Sequence, residues 1–396
     1  MMAWKNSTNK TGIAFVGCGY VADLYMLTLK DYPDLDLVGV TDIDNKKAER
    51  FGMFHNVKVY TSLQDILNNN RVSIVVNLTN PQNHYSVSKA SLIAGKHVYT
   101  EKPLSMTFSE AEELLEIAKR SGLYIASAPC NHLGETAQTI WKALREKVIG
   151  QVRLVYAEID DGPVYLMHPE RWKSRSGNYW PNKDEFEVGA TLEHAGYYIS
   201  LLTMFFGQIK EVIAFSKCLL PGKIIGENIS TPDYSVANLI FTSGVVVRLT
   251  CGGYAPYDHS MRIIGDNGVL STKECWNYYS PVHINRYSQL ALKAMKHPFI
   301  MDSKLLKLMF GLNPKKYPLV RKPSLNRIFS RNFMDFPRGV AEISAAIQEK
   351  RLSRISANNS LHINEIVLAI QNSLQTNNNY KLKTSFEPVE PMPWAK

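Results

Sequence analysis

The chain has 396 residues, of which 45% are apolar and 20% are charged, and this length fits two or three folded domains. The composition excludes a disordered chain, a collagen-like chain and a disulfide-dense miniprotein. The formal net charge of +9 raises the question of an anionic partner, such as nucleic acid, a lipid surface or a phosphorylated substrate.

Residues 10–130 alternate between short runs of β-forming residues and longer helical patterns. The predicted strands cover residues 12–16, 37–41, 57–60, 72–78, 97–100 and 124–127. The predicted helices cover residues 21–31, 82–94 and 108–121, and the last has apolar residues at the i, i+3, i+4 and i+7 positions of one face. Strands that alternate with helices indicate a parallel sheet covered on both faces.

The first predicted strand runs into a glycine-rich turn, Gly17-x-Gly19-x-x-Ala22, and then into a helical pattern. Gly17 permits the tight turn, Gly19 lets the backbone approach a pyrophosphate, and Ala22 allows the helix to pack closely on the strand. The second predicted strand is followed by Asp42, whose carboxylate can accept hydrogen bonds from an adenosine ribose. This pattern predicts a dinucleotide site; the alternative is a glycine turn beside a solvated aspartate.

Asp42 also bears on the choice of cofactor. A carboxylate at this position would repel the 2′-phosphate of NADP, so NAD is expected to be preferred over NADP. Lys46 and Lys47 follow shortly afterwards and could soften that preference.

A second motif, Glu101-Lys102-Pro103, follows the predicted strand 97–100. In an open α/β sheet, ligands bind at the carboxyl ends of the strands. A lysine beside a nicotinamide could have a lowered pKa and could donate a proton to a reacting hydroxyl or carbonyl, or orient it. The alternative is a Glu–Lys pair on the surface beyond the strand.

Beyond residue 130 the pattern changes to strands without intervening helices. Strands are predicted over 151–159, 211–217, 234–242, 245–252 and 260–265, and several of them alternate with period two. Helices are predicted over 338–348 and 363–374, and the apolar run 199–206 predicts a core helix. Consecutive strands indicate a mainly antiparallel sheet in a second, α+β domain.

These motifs together resemble those of the Gfo/Idh/MocA family, which is named after glucose–fructose oxidoreductase, inositol dehydrogenase and a rhizopine-catabolism protein. The resemblance rests on the glycine motif, on Asn80-Pro-x-x-His84 and on Ala94-Gly-Lys-His-Val-x-x-Glu101-Lys102-Pro103. It implies a Rossmann domain over residues 10–130, a C-terminal α+β domain with a large open sheet over 131–396, and NAD(P)-dependent chemistry on a sugar or cyclitol. It also implies pairing of subunits through the exposed face of that sheet, hence a homo-oligomer.

The resemblance assigns roles to individual residues. It implies that Lys102 is the catalytic lysine and that His84 and Asn131 line the cofactor end of the cleft. The full set of predicted cofactor contacts is Gly17, Gly19, Tyr20, Val21, Asp42, Thr79, Asn80, His84, Glu101, Lys102 and Asn131.

The family's second catalytic pattern, G-G-G-x-L-x-D-x-G-x-H, corresponds here to a stretch in which Glu193 replaces the usual Asp and Tyr197 the usual His. Some branches of the family carry Tyr at this position, and a phenol can serve as the acid/base if a close ammonium, here Lys102, lowers its pKa. Glu193 and Tyr197 are i, i+4 neighbours on one helix face. His194 is expected to face elsewhere and is the backup acid/base.

Aromatic and cationic residues alternate between positions 167 and 186. Such a mixture suits stacking on a sugar ring and hydrogen bonding to hydroxyls or phosphate. Trp172, Lys173 and Arg175 are therefore candidate substrate contacts; the alternative is a loop whose tryptophans pack on the core.

The positive charge is concentrated in residues 286–331, which contain eleven Lys or Arg and one acid, Asp302, a net charge of +10. The other 350 residues carry a net charge of −1. Three hypotheses remain: a solvated surface lobe, an amphipathic patch that docks peripherally on an anionic membrane, or a site for a nucleotide-sugar diphosphate or another partner. Nucleic acid is not expected, because no known binding module is present.

Other sequence features bear on the cellular location of the protein and on metal binding. Five cysteines (Cys18, Cys130, Cys218, Cys251 and Cys275) are scattered and form no CxxC pair, which favours reduced thiols in the cytoplasm. The first ten residues lack the apolar core of a secretory signal, and no apolar run is long enough to span a bilayer. No HExxH motif, CxxC pair or EF-hand loop is present, so no metal site is predicted.

The sequence therefore predicts an NAD(P)-dependent oxidoreductase that transfers hydride between nicotinamide and a secondary hydroxyl or carbonyl of a sugar, cyclitol or sugar nucleotide. One alternative is an NAD-using glycosidase or epimerase that recycles its cofactor internally. The other is a dinucleotide-binding sensor or scaffold with degraded catalysis, since the usual His and Asp are replaced.

Overall fold

The computed structural model describes residues 10–224, 227–274, 276–330 and 333–396. Cys275 and Arg331, which belong to the predicted thiols and the basic segment, lie outside the described residues. Two sheets carry the fold, one of five strands and one of nine. The predicted α/β class, a parallel Rossmann sheet plus a large, mainly antiparallel sheet, is confirmed.

The first sheet is parallel throughout and has the strand order β2-β1-β3-β4-β5. Its strands are β1 (Thr11–Val16), β2 (Leu35–Thr41), β3 (Ile74–Asn77), β4 (His97–Thr100) and β5 (Ile125–Ser127). The helices between and after them are α1 (Tyr20–Leu29), α2 (Asn45–His55), α3 (Leu63–Leu67), α4 (His84–Ile93) and α5 (Phe108–Arg120). Every residue of β3 is buried, as expected for a strand covered on both faces.

The predicted strand over 57–60 is wrong as a member of the sheet. Only Val59 pairs, in a single bridge with Val40 of the edge strand β2. The ring of Tyr60 then lies over Gly39, so close that a Cβ on Gly39 would be 2.3 Å from Tyr60 Cε2. The pairing is limited to the hydrogen bonds of Val40 with Lys58 O and with the Tyr60 amide, so residues 57–60 do not form a strand.

The second sheet has the strand order β13-β12-β11-β10-β6-β9-β8-β7-β14, and all its pairs are antiparallel except β6 with β9. Its strands are β6 (Val152–Asp160), β7 (Ile209–Lys217), β8 (Tyr234–Phe241), β9 (Val246–Gly252), β10 (Met261–Gly265), β11 (Gly268–Thr272), β12 (Val282–Arg286), β13 (Lys315–Tyr317) and β14 (Asn379–Lys381). The remaining helices are α6 (Glu135–Arg145), α7 (Asn182–Val188), α8 (Gly196–Phe206), α9 (Gln289–Ala294), α10 (Pro298–Asp302), α11 (Lys304–Met309), α12 (Leu325–Ser330), α13 (Arg338–Glu349) and α14 (Ala357–Gln371).

Short helical turns complete the chain. Single 3-10 turns occur at Pro81–Asn83, Asn131–Leu133, Val164–Leu166, Pro169–Arg171, Ser373–Thr376 and Pro393–Ala395, and a π-helical turn occurs at Thr191–Ala195. No helix within the described ranges is both long enough and apolar enough to cross a membrane.

The larger core lies between the second sheet and two helices. The predicted core helix is confirmed: α8 buries Tyr198, Ile199 and Leu202 against the sheet, and α14 adds residues such as Ile366 and Ile370. The helices and strands of this half therefore hold the π-helical turn, which immediately precedes α8, in a fixed place.

The last part of the chain returns to the first sheet. Val340 and Ile343 of α13, with Met392 and Ala395 near the end of the chain, share a core with strands β1 and β3. A domain boundary at residue 130 thus stays a prediction, because the core of the first sheet includes residues far beyond it.

A buried ionic network joins α13 to α6. Arg338 donates to Glu135 Oε2 at 2.9 Å and to Asp335 Oδ2 at 3.0 Å, and all three side chains are at most 7% exposed. Arg321 also pairs with Glu135, and Arg327 with Asp335. Two arginines of the basic segment therefore have structural roles and do not belong to a solvated lobe.

We expect Arg338→Met to lower the free energy of unfolding by about 3–5 kcal/mol, because it leaves buried carboxylates without their shared cation. Arg153→Met is the matched control: its exposed pair with Asp266 should contribute less than about 1 kcal/mol. Urea unfolding measures both. Equal losses of unfolding free energy in the two variants would contradict a structural role for the buried network.

Candidate active site

The glycine turn has the geometry that an anion site needs. Gly17 has φ +100°, and a Cβ there would lie 2.5 Å from Leu78 O, so only glycine fits. Gly19 caps α1 without a side-chain hydrogen bond, and a Cβ on it would meet nothing within 4 Å. By contrast, Asp44 and Thr107 cap α2 and α5 with their own side chains. The first turn of α1 can therefore offer its N–H groups to a phosphate.

Asp42 ties this turn to the end of β2. Its Oδ2 accepts from the Cys18 amide at 2.7 Å, and its Oδ1 accepts from the Asp44 amide at 2.9 Å. Its expected contact with a ribose stays a prediction. Lys47 and Arg50 of α2 line the adjacent cavity, which Asp42 itself does not.

A cavity of about 610 Å³ lies between the carboxyl edge of the first sheet and the segment that carries α7 and α8. It is lined by most of the residues that the sequence predicted: Gly19, Tyr20, Val21, Thr79, Asn80, His84, Glu101, Lys102, Glu193, His194 and Tyr197. We call it the main cavity. The structure thus brings eight of the eleven predicted cofactor contacts and the four predicted catalytic residues to one cavity, which Gly17, Asp42 and Asn131 do not line.

Lys102 and Glu193 form an ion pair in the wall of this cavity, with side chains 18% and 2% exposed. Burial alone would lower the pKa of Lys102, but the carboxylates of Glu193 and Glu185 raise it above its usual range. The expectation of a lowered lysine pKa is therefore wrong for this structure. Lys102 is a fixed cation that can orient an oxygen atom.

Glu185 is a functional candidate that the sequence did not reveal. It lies on α7 and lines the main cavity together with Glu193. Burial and the charge of Glu193 raise the pKa of Glu185 well above its usual range. Burial would also raise the pKa of Glu193, but the neighbouring groups, Lys102 foremost, together lower it. The two shifts favour the protonated form of Glu185 beside the ionised form of Glu193.

Two turns at the sheet edge are fixed by His84. Its Nδ1 lies 2.7 Å from Pro103 O, and its Nε2 lies 2.9 Å from Thr79 O. Burial lowers the pKa of this imidazole, and a neutral ring donates to only one of the two carbonyls. Glu101 is fixed similarly, because Tyr25 donates to its Oε1 at 2.7 Å. These contacts hold the backbone on either side of Lys102.

The ring of Tyr197 lines the main cavity and packs edge-on against Trp276, with ring centroids 5.8 Å apart. The side chain of Asn131 donates to Tyr197 O at 3.1 Å and accepts from Ser200 at 2.9 Å. Asn131 is buried and does not line the cavity, so the structure places it behind α8, where it positions Tyr197.

His194 faces the main cavity, contrary to the prediction. The reason is the π-helical turn Thr191–Ala195, which is wider than an α-helical turn and changes the angle between successive side chains. Nδ1 of His194 lies 2.9 Å from Asp161 Oδ2, an ion-pair contact whose angles fall outside hydrogen-bonding geometry.

Behind His194, the carboxylate of Asp161 also contacts the buried His259 at 2.9 Å, and His259 contacts Glu274 at 3.0 Å. Burial alone would raise the pKa of Asp161, but the two imidazoles hold it well below its usual range. Asp161 is therefore ionised beside His194. No group of three or more His, Cys, Asp or Glu side chains in the described ranges is placed to hold a metal ion.

A second cavity of about 240 Å³ shares Trp180, Glu185, Glu193, His194 and Trp276 with the main one. We call it the aromatic cavity. Its other walls include Tyr165, Trp172, Phe186 and Tyr257. Such walls suit the apolar face of a ring-shaped substrate.

The predicted substrate contacts are separated by the structure. Trp172 lines the aromatic cavity, whereas Lys173 and Arg175 line neither cavity. The ammonium of Lys173 lies 4.5 Å from the centre of the Tyr179 ring, and Arg175 is exposed. Lys173 pairs with Tyr179 in an isolated antiparallel bridge, and Arg175 lies in the turn between these two residues.

The same stretch closes over the glycine turn. Ser176 donates to Asp23 of α1 at 2.6 Å, and Asn178 donates to Cys18 O at 2.8 Å. Polar residues between two tryptophans gave no sequence signal for this contact. The contact places residues 177–180 in the wall of the main cavity.

Comparison with known proteins agrees with this arrangement. Residues 11–128 match the family model described as "Oxidoreductase family, NAD-binding Rossmann fold", and residues 137–271 match the "GFO/IDH/MocA C-terminal domain". The chain belongs to the Gfo/Idh/MocA family. The resemblance found in the sequence is confirmed.

Two curated relatives are trans-1,2-dihydrobenzene-1,2-diol dehydrogenases. The protein from Oryctolagus cuniculus is 23% identical over 269 residues, which are 66% of this chain and 75% of the relative. The protein from Xenopus laevis is 26% identical over 257 residues, which are 64% of this chain and 72% of the relative.

Two solved structures show the same fold. The aldose-aldose oxidoreductase from Caulobacter crescentus has a TM-score of 0.72 and 19% identity, covering 94% of this chain and 100% of its own. The WlbA dehydrogenase from Bordetella pertussis, solved with NADH and UDP-GlcNAcA, has a TM-score of 0.70 and 16% identity, covering 97% and 99%.

This member of the Gfo/Idh/MocA family is an NAD(P)-binding oxidoreductase. Its own residues fit a dinucleotide: the glycine turn is open in front of Gly19, α1 has no side-chain cap, and the main cavity continues from there to Lys102. The prediction that the cofactor is NAD or NADP is confirmed.

The ion pair gives a test by pH. The pKa of Glu193 is lowered in the folded protein, so its charge stabilises the native state at pH values above the ordinary carboxyl pKa. The pKa of Lys102 is raised in the folded protein, so its charge stabilises the native state at pH values below the ordinary lysine pKa. We expect Lys102→Met to cost about 3 kcal/mol at about pH 8. The cost should be about 1 kcal/mol smaller at about pH 5.5, where the unpaired Glu193 can bind a proton.

Lys96→Met is the matched control for this pH test. Lys96 is also buried, but its ammonium donates only to the carbonyls of Asn69 and Val72. The free energy of unfolding that Lys96→Met loses, measured in urea, should be the same at both pH values. If Lys102→Met also lost the same free energy of unfolding at both pH values, the result would contradict an ion pair between Lys102 and Glu193.

Proposed function

We propose that this oxidoreductase interconverts a secondary hydroxyl and the matching carbonyl on the ring of a sugar or cyclitol. The observation that carries the proposal is the buried Lys102–Glu193 pair beside His194 and Tyr197, in the same cavity as the glycine turn. A nicotinamide bound in that cavity supplies or accepts the hydride. NAD is proposed as the preferred cofactor, because Asp42 places a carboxylate at the end of β2.

The aromatic cavity supports a ring-shaped substrate. Its volume of about 240 Å³ is below the roughly 300–1,000 Å³ of pockets that take drug-sized ligands, which favours a single ring over a whole sugar nucleotide. Related proteins support this chemistry, since they include an aldose-aldose oxidoreductase and trans-1,2-dihydrobenzene-1,2-diol dehydrogenases. Trp172, Trp180 and Trp276 can stack on such a ring.

The polar and charged residues of the site have different proposed roles. Lys102, held by Glu193, donates a hydrogen bond to the substrate oxygen and fixes its position. Tyr197 gives a proton to that oxygen or takes one from it. His194 is the second candidate for this step, since the ionised Asp161 would stabilise its imidazolium. Glu185 supplies a neutral carboxyl beside the pair.

Tyr197→Phe should lower kcat by about 10²–10⁴-fold, the range for loss of a general acid/base, and His194→Gln should lower it by less than about tenfold. A panel of polyols, aldoses and sugar nucleotides, assayed with NAD and NADP by the absorbance of reduced nicotinamide, measures this. Lys102→Ala should abolish turnover. Tyr124→Phe, which removes a phenol remote from the cavity, should have no effect.

The same assay tests the alternatives. A larger loss in His194→Gln than in Tyr197→Phe would assign the proton transfer to His194. Copurified NAD with no net formation of NADH would favour a glycosidase or epimerase that recycles its cofactor. Binding of NAD without turnover of the panel, unchanged in all variants, would favour a sensor. The proposed cytoplasmic location and the homo-oligomer, paired through the exposed face of the second sheet, need separate measurements.

A further inference from the structure

Residues 289–316, here called the basic lobe, expose more large apolar side chains than they bury. The lobe contains α9, α10 and α11 and leads into β13. Its own core is small, consisting of Ala291, Ala294, Ile300 and Leu312 with Leu306 and Phe310 partly buried against them. Its exposed large apolar side chains are Leu290, Leu292, Met295, Phe299, Met301, Leu305, Leu308 and Met309. Apolar surface of this extent on a folded protein marks an interaction site.

The lobe also carries cations that the protein does not neutralise. Six lysines and a single acid, Asp302, lie in residues 289–316; the lysines are Lys293, Lys296, Lys304, Lys307, Lys315 and Lys316. None of them has a carboxylate within 4 Å among the described residues. Arg321 and Arg327, further along, are used internally by Glu135 and Asp335. The unpaired charge is thus concentrated where the apolar side chains are exposed.

We propose that the basic lobe docks on an anionic lipid surface. Lysines beside exposed leucine, methionine and phenylalanine are the combination that binds the interface of a bilayer: the apolar side chains enter the headgroup region and the ammonium groups meet lipid phosphates and carboxylates. The long aliphatic parts of the lysines can lie along the same apolar surface.

Other occupants fit the lobe less well. A second copy docked lobe to lobe would bring two positive surfaces together. Nucleic acid would meet the lysines but would leave the exposed leucines and Phe299 without an apolar partner. A groove on a partner protein reads apolar residues along a helix of several turns, whereas α9, α10 and α11 have only five or six residues each. A bilayer interface imposes no such shape.

The rest of the molecule would not compete for the membrane. Outside residues 286–331 the chain carries a net charge of −1, so the net positive charge that would attract an anionic surface comes from this segment. The lobe would therefore also fix the orientation of the enzyme on the surface. This inference does not depend on the proposed reaction.

Cosedimentation with vesicles tests the proposal. Wild-type protein should bind vesicles with about 30 mol% phosphatidylserine at least about tenfold more tightly than pure phosphatidylcholine vesicles, and salt should weaken this binding. The charge-reversal variant K293E/K296E/K304E/K307E should lose at least about tenfold of that affinity. The apolar variant F299S/L305S/L308S, which keeps every charge, should lose about as much.

The matched control is K30E/K119E/K217E/K381E, which makes the same change in net charge at exposed lysines outside the lobe. It should bind vesicles like the wild type, and circular dichroism melts should show that all variants are folded. A similar loss in the control would overturn the proposal, because binding would then follow net charge alone.

Three further results would also overturn it. One is no binding of wild-type protein to phosphatidylserine vesicles at low salt. Another is unchanged binding by the apolar variant together with retention on duplex DNA, which would indicate a general polyanion site. The last is a change of oligomeric state in the apolar variant, measured by light scattering, which would assign the surface to a second copy.

Discussion

The ion pair between Lys102 and Glu193 is the contact on which the whole site depends, because its partners come from the two halves of the fold. Lys102 follows β4 of the first sheet, and Glu193 lies in the π-helical turn that the second core holds in place. A buried pair is stable only when both partners are accurately placed. The turns fixed by His84 and the helix anchored by Asn131 provide that placement. The main cavity is therefore one site built by two cores.

The parts of this site that the sequence predicted are those that local chain geometry determines. Gly17 is needed by a backbone conformation with positive φ, so the glycine pattern directly indicates the turn. Lys102 follows a strand whose length and end were clear from its residues, and the carboxyl edge of a parallel sheet is where ligands bind. Helix positions four apart placed Glu193 and Tyr197 together, and both line the cavity.

The rest depends on contacts between distant segments or on irregular backbone. His194 was expected to face away because a regular α-helix was assumed, whereas the π-helical turn directs it into the cavity. Glu185, Asp161 and Trp276 reach the site from α7 and from the region around the second sheet, and no local motif marks them. The charge count could not reveal that Arg321 and Arg327 are paired with the buried carboxylates of Glu135 and Asp335.

A double-mutant cycle on Lys102 and Glu193 tests most directly whether one ion pair joins the two halves of the site. The free energy of unfolding would be measured in urea for Lys102→Met, Glu193→Gln and the double variant. We expect the double variant to be destabilised by about 2–3 kcal/mol less than the sum of the single variants, because each single change leaves a buried charge unpaired. Additivity within about 0.5 kcal/mol would contradict the account.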